Sequence, residues 1–230
     1  MFYKRIQAFG DSFTAGTELA DGPVGDQNND QLHSVYTWPA LLAKRWNIDY
    51  RSNSLGGIGN QRISFAVIDR YLRSGNLNQS FYIVNWSWFE RFDYLDPVEN
   101  KWNTLHPRHT DQLDHFFYKN LDSDLWNMIR NLQTIHSTIK FLEDNHVDFA
   151  MTCLDPMIFT RDRPESYNGF ITQIQNSIRP YFVDFEDLTF LEWSYKHNFE
   201  CGPNGHPLEQ AHAAAAEYIE PYILQRTKTR

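Results

Sequence analysis

The chain has 230 residues, 41% of them hydrophobic and 16% aromatic, enough to bury a substantial core as one domain. Its net charge of −8, with no Lys/Arg cluster, argues against a nucleic-acid partner, whose phosphates require a basic face. No apolar run is long enough to cross a bilayer, and Met1-Phe-Tyr-Lys-Arg5 lacks the apolar stretch and cleavage site of a signal peptide. No membrane span is therefore expected, and the expected compartment is the cytoplasm.

Taken in order, residues 2–9 read as a first strand, running into Gly10-Asp-Ser12. Thr37 to Trp46 reads as a helix with Thr37 near its cap and Pro39 in its first turn. Ile48 to Asn53 is a second strand, followed by the glycine-rich turn Leu55-Gly-Gly-Ile-Gly-Asn60 and a helix with Ile63, Val67 and Tyr71 on one face. Phe81 to Trp86 is apolar enough for a central strand. Residues 122–145 carry Leu125, Ile129, Leu132, His136 and Ile139 at helical spacing, and Val147 to Leu154 is a strand that Asp155-Pro156 stops. A loop-rich stretch to about Glu165 precedes a helix over Gly169 to Ile178, a short strand around Phe182 and a last helix from Leu208 to about Gln225, which Pro221 should kink or cap.

This alternation predicts an α/β fold, a three-layer αβα sandwich with a mostly parallel central sheet, in which ligands bind outside the carboxyl ends of the strands. Residues 88–121 break the rhythm and read as an insertion, rich in aromatics and histidine, placed to roof the site. Within it, Pro107 between His106 and His109 favours a loop over a one-turn ligand pair, with His115 further on, so no metal is expected. Two cysteines, Cys153 and Cys201, exclude a disulfide framework and a cysteine-rich zinc site. Both fall near expected sheet-edge loops, and two reduced thiols are preferred over a bond between them.

Ser12 stands where an α/β sheet presents a nucleophile. Gly10 permits a sharp turn, and a helix starting just after would aim free N–H groups at the Ser12 hydroxyl. A serine hydroxyl needs a base. The Gly/Pro-rich loop Cys201-Gly-Pro-Asn-Gly-His206 supplies one, because an imidazole can take the Ser12 proton and return it to a leaving group. Alone, Gly10-Asp-Ser12 is more simply a capped turn and His206 a loop histidine; their joint placement promotes both. His212 reads as a surface or packing residue, Asp11 as a structural turn carboxylate. Gly56-Gly-Ile-Gly59 lacks the third glycine of a dinucleotide loop, and there is no Gly-x-Ser-x-Gly elbow.

Four blocks in order, Gly10-Asp-Ser12, the glycine turn after the second strand, a polar position ending the third strand and His206-Pro207, resemble the SGNH hydrolases, also called the GDSL esterase/lipase family. The resemblance implies a flavodoxin-like fold, Ser12 as nucleophile, His206 as base, and an oxyanion held by the Ser12 N–H, a glycine N–H and an asparagine side chain. Gly57 best matches the glycine, with Gly59 as the fallback. The family's Gly-x-Asn-Asp does not occur. In Val84-Asn-Trp-Ser87, Asn85 is favoured by its amide and Ser87 by register. The family's aspartate three residues before the histidine is here Pro203. The expected substitute is Asn204 or a backbone carbonyl orienting the ring, with Asp184 or Asp187 as other candidates.

The resemblance further implies hydrolysis of an ester, a carboxyl or acetyl ester of a small molecule, lipid or carbohydrate, with no cofactor. Trp86 and Trp88 are candidates to stack on a sugar ring. Arg91 is a candidate for an acidic substrate group, or for structural pairing with Asp93 or Glu90. The competing reading is a noncatalytic, carbohydrate-binding or structural protein on the same fold, favoured by the aspartate missing before His206.

Overall fold

The computed structural model describes residues 3–23, 33–74, 79–160 and 167–228. Its main sheet contains β1 (Arg5–Phe9), β2 (Asp49–Ser52), β3 (Ser80–Trp86) and β6 (Asp148–Cys153), all parallel in the order β2-β1-β3-β6. Met151 makes a further parallel bridge to Phe182, so the strand expected there is one bridge at the sheet edge. Phe2 lies outside the described residues, as do residues 161–166 of the loop-rich stretch.

Every residue of β3 is buried, as a strand covered on both faces requires. Its side chains alternate between two cores. Tyr82, Val84 and Trp86 face α3 (Asn60–Ser74), α5 (Asp124–Asp144) and α6 (Asn168–Ile178), meeting Ile63, Leu132 and Ile171. Phe81 and Ile83 face α2 (Trp38–Trp46), α7 (Phe190–Lys196) and α8 (Glu209–Lys228), meeting Leu42, Phe190 and Ala215. This period of two against 3.6 produces the three αβα layers. Among the described residues no helix is long and apolar enough to cross a membrane.

The structure departs from the sequence reading at four places. Gly10-Asp-Ser12 leads into only one turn, α1 (Ser12–Ala15), ended by Gly16 at φ 82°. Residues 88–121, expected as an irregular insertion, contain an antiparallel hairpin, β4 (Phe92–Leu95) with β5 (Trp102–Leu105), and then α4 (Gln112–Asn120). Helix α7 was not expected, although Thr189 and Glu192 form a capping box readable as Thr-x-x-Glu. Helix α8 runs through Pro221 to Lys228, its missing N–H outweighed by the apolar face that α8 buries against α2.

Leu132 is fully buried between α5 and the sheet. Leu132→Ala should lower unfolding free energy by about 2–5 kcal/mol, read as a reduced urea midpoint at unchanged slope.

Candidate active site

Ser12 opens α1 directly beyond β1. Asp11 caps that turn, accepting the Phe13 N–H at 3.1 Å, while the Thr14 and Ala15 N–H groups bond the Asp11 carbonyl. Among the described residues the Ser12 N–H has no partner in this turn. Gly10 is required by crowding: a Cβ there would lie 2.3 Å from Thr14 Oγ1.

His206 reaches Ser12 from the loop before α8. That loop is closed by the Cys201–Pro207 bridge and a Gly202 N–H bond to the His206 carbonyl, and it turns at Gly205 with φ 83°. The His206 ring packs on Phe13 with centroids 4.8 Å apart. Its Nε2 lies 2.9 Å from Ser12 Oγ, and its Nδ1 lies 2.7 Å from Glu18 Oε2. An ionised carboxylate only accepts, so Nδ1 carries the proton and Nε2 presents its lone pair to the serine.

Glu18 was missed in the sequence, where no pattern marks it: the turn after α1 contains no periodic element. Burial would raise its pKa, but N–H groups of Asn204 and His206 and the adjacent imidazole hold it below the ordinary carboxylate value. Asn204 is corrected from the expected ring-orienting group. It donates from its backbone N and from Nδ2 to Glu18 Oε1, each at 3.0 Å, and so holds Glu18. Asp184 and Asp187 pair with Arg179 instead.

Neither protein-family models nor curated protein sequences give a match to this chain. Solved structures do. The psychrotrophic esterase EstA from a Pseudoalteromonas species is 11% identical, with 98% of this chain and 99% of that chain covered and a TM-score of 0.51. A member of the lipolytic protein G-D-S-L family from Veillonella parvula is 11% identical, covering 94% and 96%, also at 0.51. A carbohydrate esterase family 2 enzyme with its carbohydrate-binding domain, from Corynascus thermopiles (Myceliophthora fergusii), is 17% identical at 0.51; 96% of this chain is covered, but only 65% of that one. The fold is that of the SGNH hydrolases.

On the SGNH fold, the glycine turn lies beside the serine: a Cβ on Gly56 would sit 3.8 Å from Ser12 Cβ. Gly57 has φ 76°, a left-handed conformation that suits glycine, and its N–H has no partner among the described residues. The fallback, Gly59, is corrected: its N–H is spent on Asp93 Oδ1 at 2.8 Å. His106 Nε2 lies 2.6 Å from the Gly57 carbonyl, so the 88–121 stretch meets this turn through His106 as well as through Asp93. Burial lowers the His106 pKa against the opposing effect of that bond, with Arg91 and His109 adding to the lowering.

Of the expected side-chain oxyanion donors, Ser87 is fully engaged elsewhere and Asn85 has one of its two amide N–H groups engaged. Asn85 is buried, donating to Thr14 Oγ1 at 3.1 Å and accepting from Thr152 Oγ1 at 2.7 Å. Ser87 gives its one hydroxyl proton to Asp11 Oδ2 at 2.7 Å and accepts from Arg91 Nη1 at 2.6 Å. Arg91 is corrected from a substrate contact: its Nη1 also donates to Asp11 Oδ2 at 2.8 Å and to the Ile58 carbonyl at 3.0 Å. Asp93 and Glu90 are not its ion partners. Trp86 is fully buried with its indole N–H on Met151 Sδ, so it cannot stack on a sugar; Trp88 is partly buried against the α2/α8 core.

Three other sequence expectations are placed by the structure. Cys153 is buried and Cys201 half-buried, both free thiols. The His106 and His109 rings lie tilted with centroids 4.6 Å apart, and His109, Asp111 and Asp114 group their ligand atoms within 4.8 Å, but His109 and Asp111 are exposed and Asp114 accepts the His106 N–H. His212 is buried, accepting the Trp38 N–H on Nδ1 at 3.1 Å with the Pro207 backbone as its other partner. Burial, with His206 nearby, pushes its pKa from 6.5 down to about 3.

Two stability measurements check these contacts. Arg91→Met strands the Asp11 carboxylate without its cation and should cost about 3–5 kcal/mol in chemical denaturation. Because His212 resists the proton that the unfolded chain accepts, its contribution is present above about pH 6.5 and is lost as pH falls toward 3. The stability advantage of wild type over His212→Gln should therefore shrink across that window in denaturant melts taken at successive pH values.

Proposed function

We propose that this chain is a divergent SGNH hydrolase that cleaves a carboxyl or acetyl ester through an acyl-enzyme. The observation that carries the reading is the 2.9 Å contact between Ser12 Oγ and His206 Nε2, at the carboxyl edge of a parallel sheet. His206 takes the Ser12 proton as Oγ attacks the ester carbonyl. The resulting oxyanion is held by the Ser12 and Gly57 N–H groups, Gly57 being the glycine that the family resemblance assigns and one whose N–H has no partner among the described residues. Collapse breaks the ester C–O bond, and His206 returns the proton to the departing alcohol. Water, deprotonated by the same imidazole, then hydrolyses the acyl-serine and regenerates the hydroxyl. No cofactor enters this scheme.

The esters meant are those of small molecules, lipids or carbohydrates, the last in keeping with the carbohydrate esterase that shares the fold. Residues 1–230 act in this reading as one unit, with the 88–121 stretch serving the site through His106. A noncatalytic role rested on the aspartate missing before His206, and the carboxylate of Glu18 on the imidazole weakens that case.

Short-chain nitrophenyl esters test the proposal. Turnover should fall by at least about 10³-fold in Ser12→Ala and in His206→Ala. A fluorophosphonate should label Ser12 in the wild type and not in the alanine variant. Turnover that persists unchanged in Ser12→Ala would rule the mechanism out.

A further inference from the structure

We propose that Glu18 is the positioning carboxylate of this site, orienting His206 and docking its loop in place of the aspartate that the family resemblance puts at position 203. The proposal rests on the serine-esterase reading above. Its carboxylate is built into the histidine loop on both oxygens. Oε1 accepts the Asn204 backbone N–H and side-chain amide, each at 3.0 Å; Oε2 accepts His206 Nδ1 at 2.7 Å and the His206 backbone N–H at 3.4 Å. The side chains of Glu18 and His206 are only 12% and 13% exposed, so the contact is not a solvated surface pair.

The surrounding backbone is shaped to this contact. Glu18 adopts φ 73°, a left-handed conformation unusual for a residue with a side chain and typical of a site held in place by its surroundings. The segment is fixed by the Leu19 N–H on the Gly16 carbonyl, which spans Glu18, and just beyond it by the Ala20 N–H on Glu209 Oε1. Across from it, a Cβ on Gly202 would lie 2.7 Å from the Glu18 carboxyl carbon, so a side chain there would push the carboxylate out of its present position. Position 203 holds proline, exposed, with no N–H to donate and no side-chain group to accept a hydrogen bond.

The chemical consequence follows from charge. When His206 takes the Ser12 proton it becomes an imidazolium, and an ionised Glu18 at Nδ1 stabilises that cation and fixes the tautomer that can form it. The nucleophile and the carboxylate lie six residues apart on one short segment, Ser12 to Glu18. Only the histidine loop has to dock against it, and Glu18 supplies the acceptors for that docking.

The test uses the full chain as wild type, Glu18→Gln, Glu18→Asp and Ser12→Ala, with kcat and KM measured on a short-chain nitrophenyl ester. Glu18→Gln should lower kcat on the order of 10²- to 10⁴-fold with KM changed less than about threefold, and slow fluorophosphonate labelling of Ser12 in parallel. Glu18→Asp keeps the charge on a shorter stem and should fall between the two. A strongly deshielded imidazole N–H proton should be present in the wild-type NMR spectrum and lost in Glu18→Gln; this reading needs no variant to fold, and its absence from the wild type would overturn the assignment. If Ser12→Ala is inactive while Glu18→Gln stays within threefold of wild type, the Glu18 assignment fails and the esterase reading stands. If Ser12→Ala retains activity, the esterase reading fails first and the role of Glu18 with it.

Discussion

The carboxylate of Asp11, fully removed from solvent, ties together the parts on which the site depends. It accepts the Phe13 N–H that starts the Ser12 turn, the Ser87 hydroxyl at the end of β3 and the guanidinium of Arg91, which in turn grips the Ile58 carbonyl in the glycine turn. An isolated buried carboxylate is costly, so this arrangement holds only while all three donors are in place. The ends of β1 and β3 and the turn before α3 are thereby held in one geometry. Ser87 and Arg91, residues whose types suit substrate contact, are used up in building that frame.

A second carboxylate performs the matching task on the other side of the serine. Glu18 gathers the N–H groups of the histidine loop, while His212 beneath it, uncharged, joins the start of α2 to Pro207. The imidazole of His206 is thus held through its Nδ1, its own backbone and the residue that follows it, and packed on Phe13. Motion of the ring away from Ser12 would break several charge-assisted bonds at once.

Much of this was legible in the sequence, and unevenly so. The alternation of β3 with its flanking helices, the place of Ser12 beyond β1 and the loop position of His206 are local or periodic features that residue order records directly. The engagement of Asn85 and Ser87 is not, because each is decided by partners about seventy residues away, Thr14 at 71 and Asp11 at 76. Trp86 looked available for stacking only while β3 was considered without the α5 layer that covers it. The hairpin in residues 88–121 was obscured by its short strands, four residues each, which give too little alternation to recognise.

By itself the sequence determined the layered α/β fold and the two residues, Ser12 and His206, that the sheet edge brings together, because strand and helix periodicity and glycine-marked turns act within a few residues of each other. Only the tertiary structure decided which carboxylate meets the imidazole. Glu18 has no periodic or motif context, and its pairing with a loop 188 residues further along is made by the left-handed turn after α1 and by the space that Gly202 leaves open. The proline at position 203 is a fact of the chain; the carboxylate that meets the His206 imidazole is a fact of the fold.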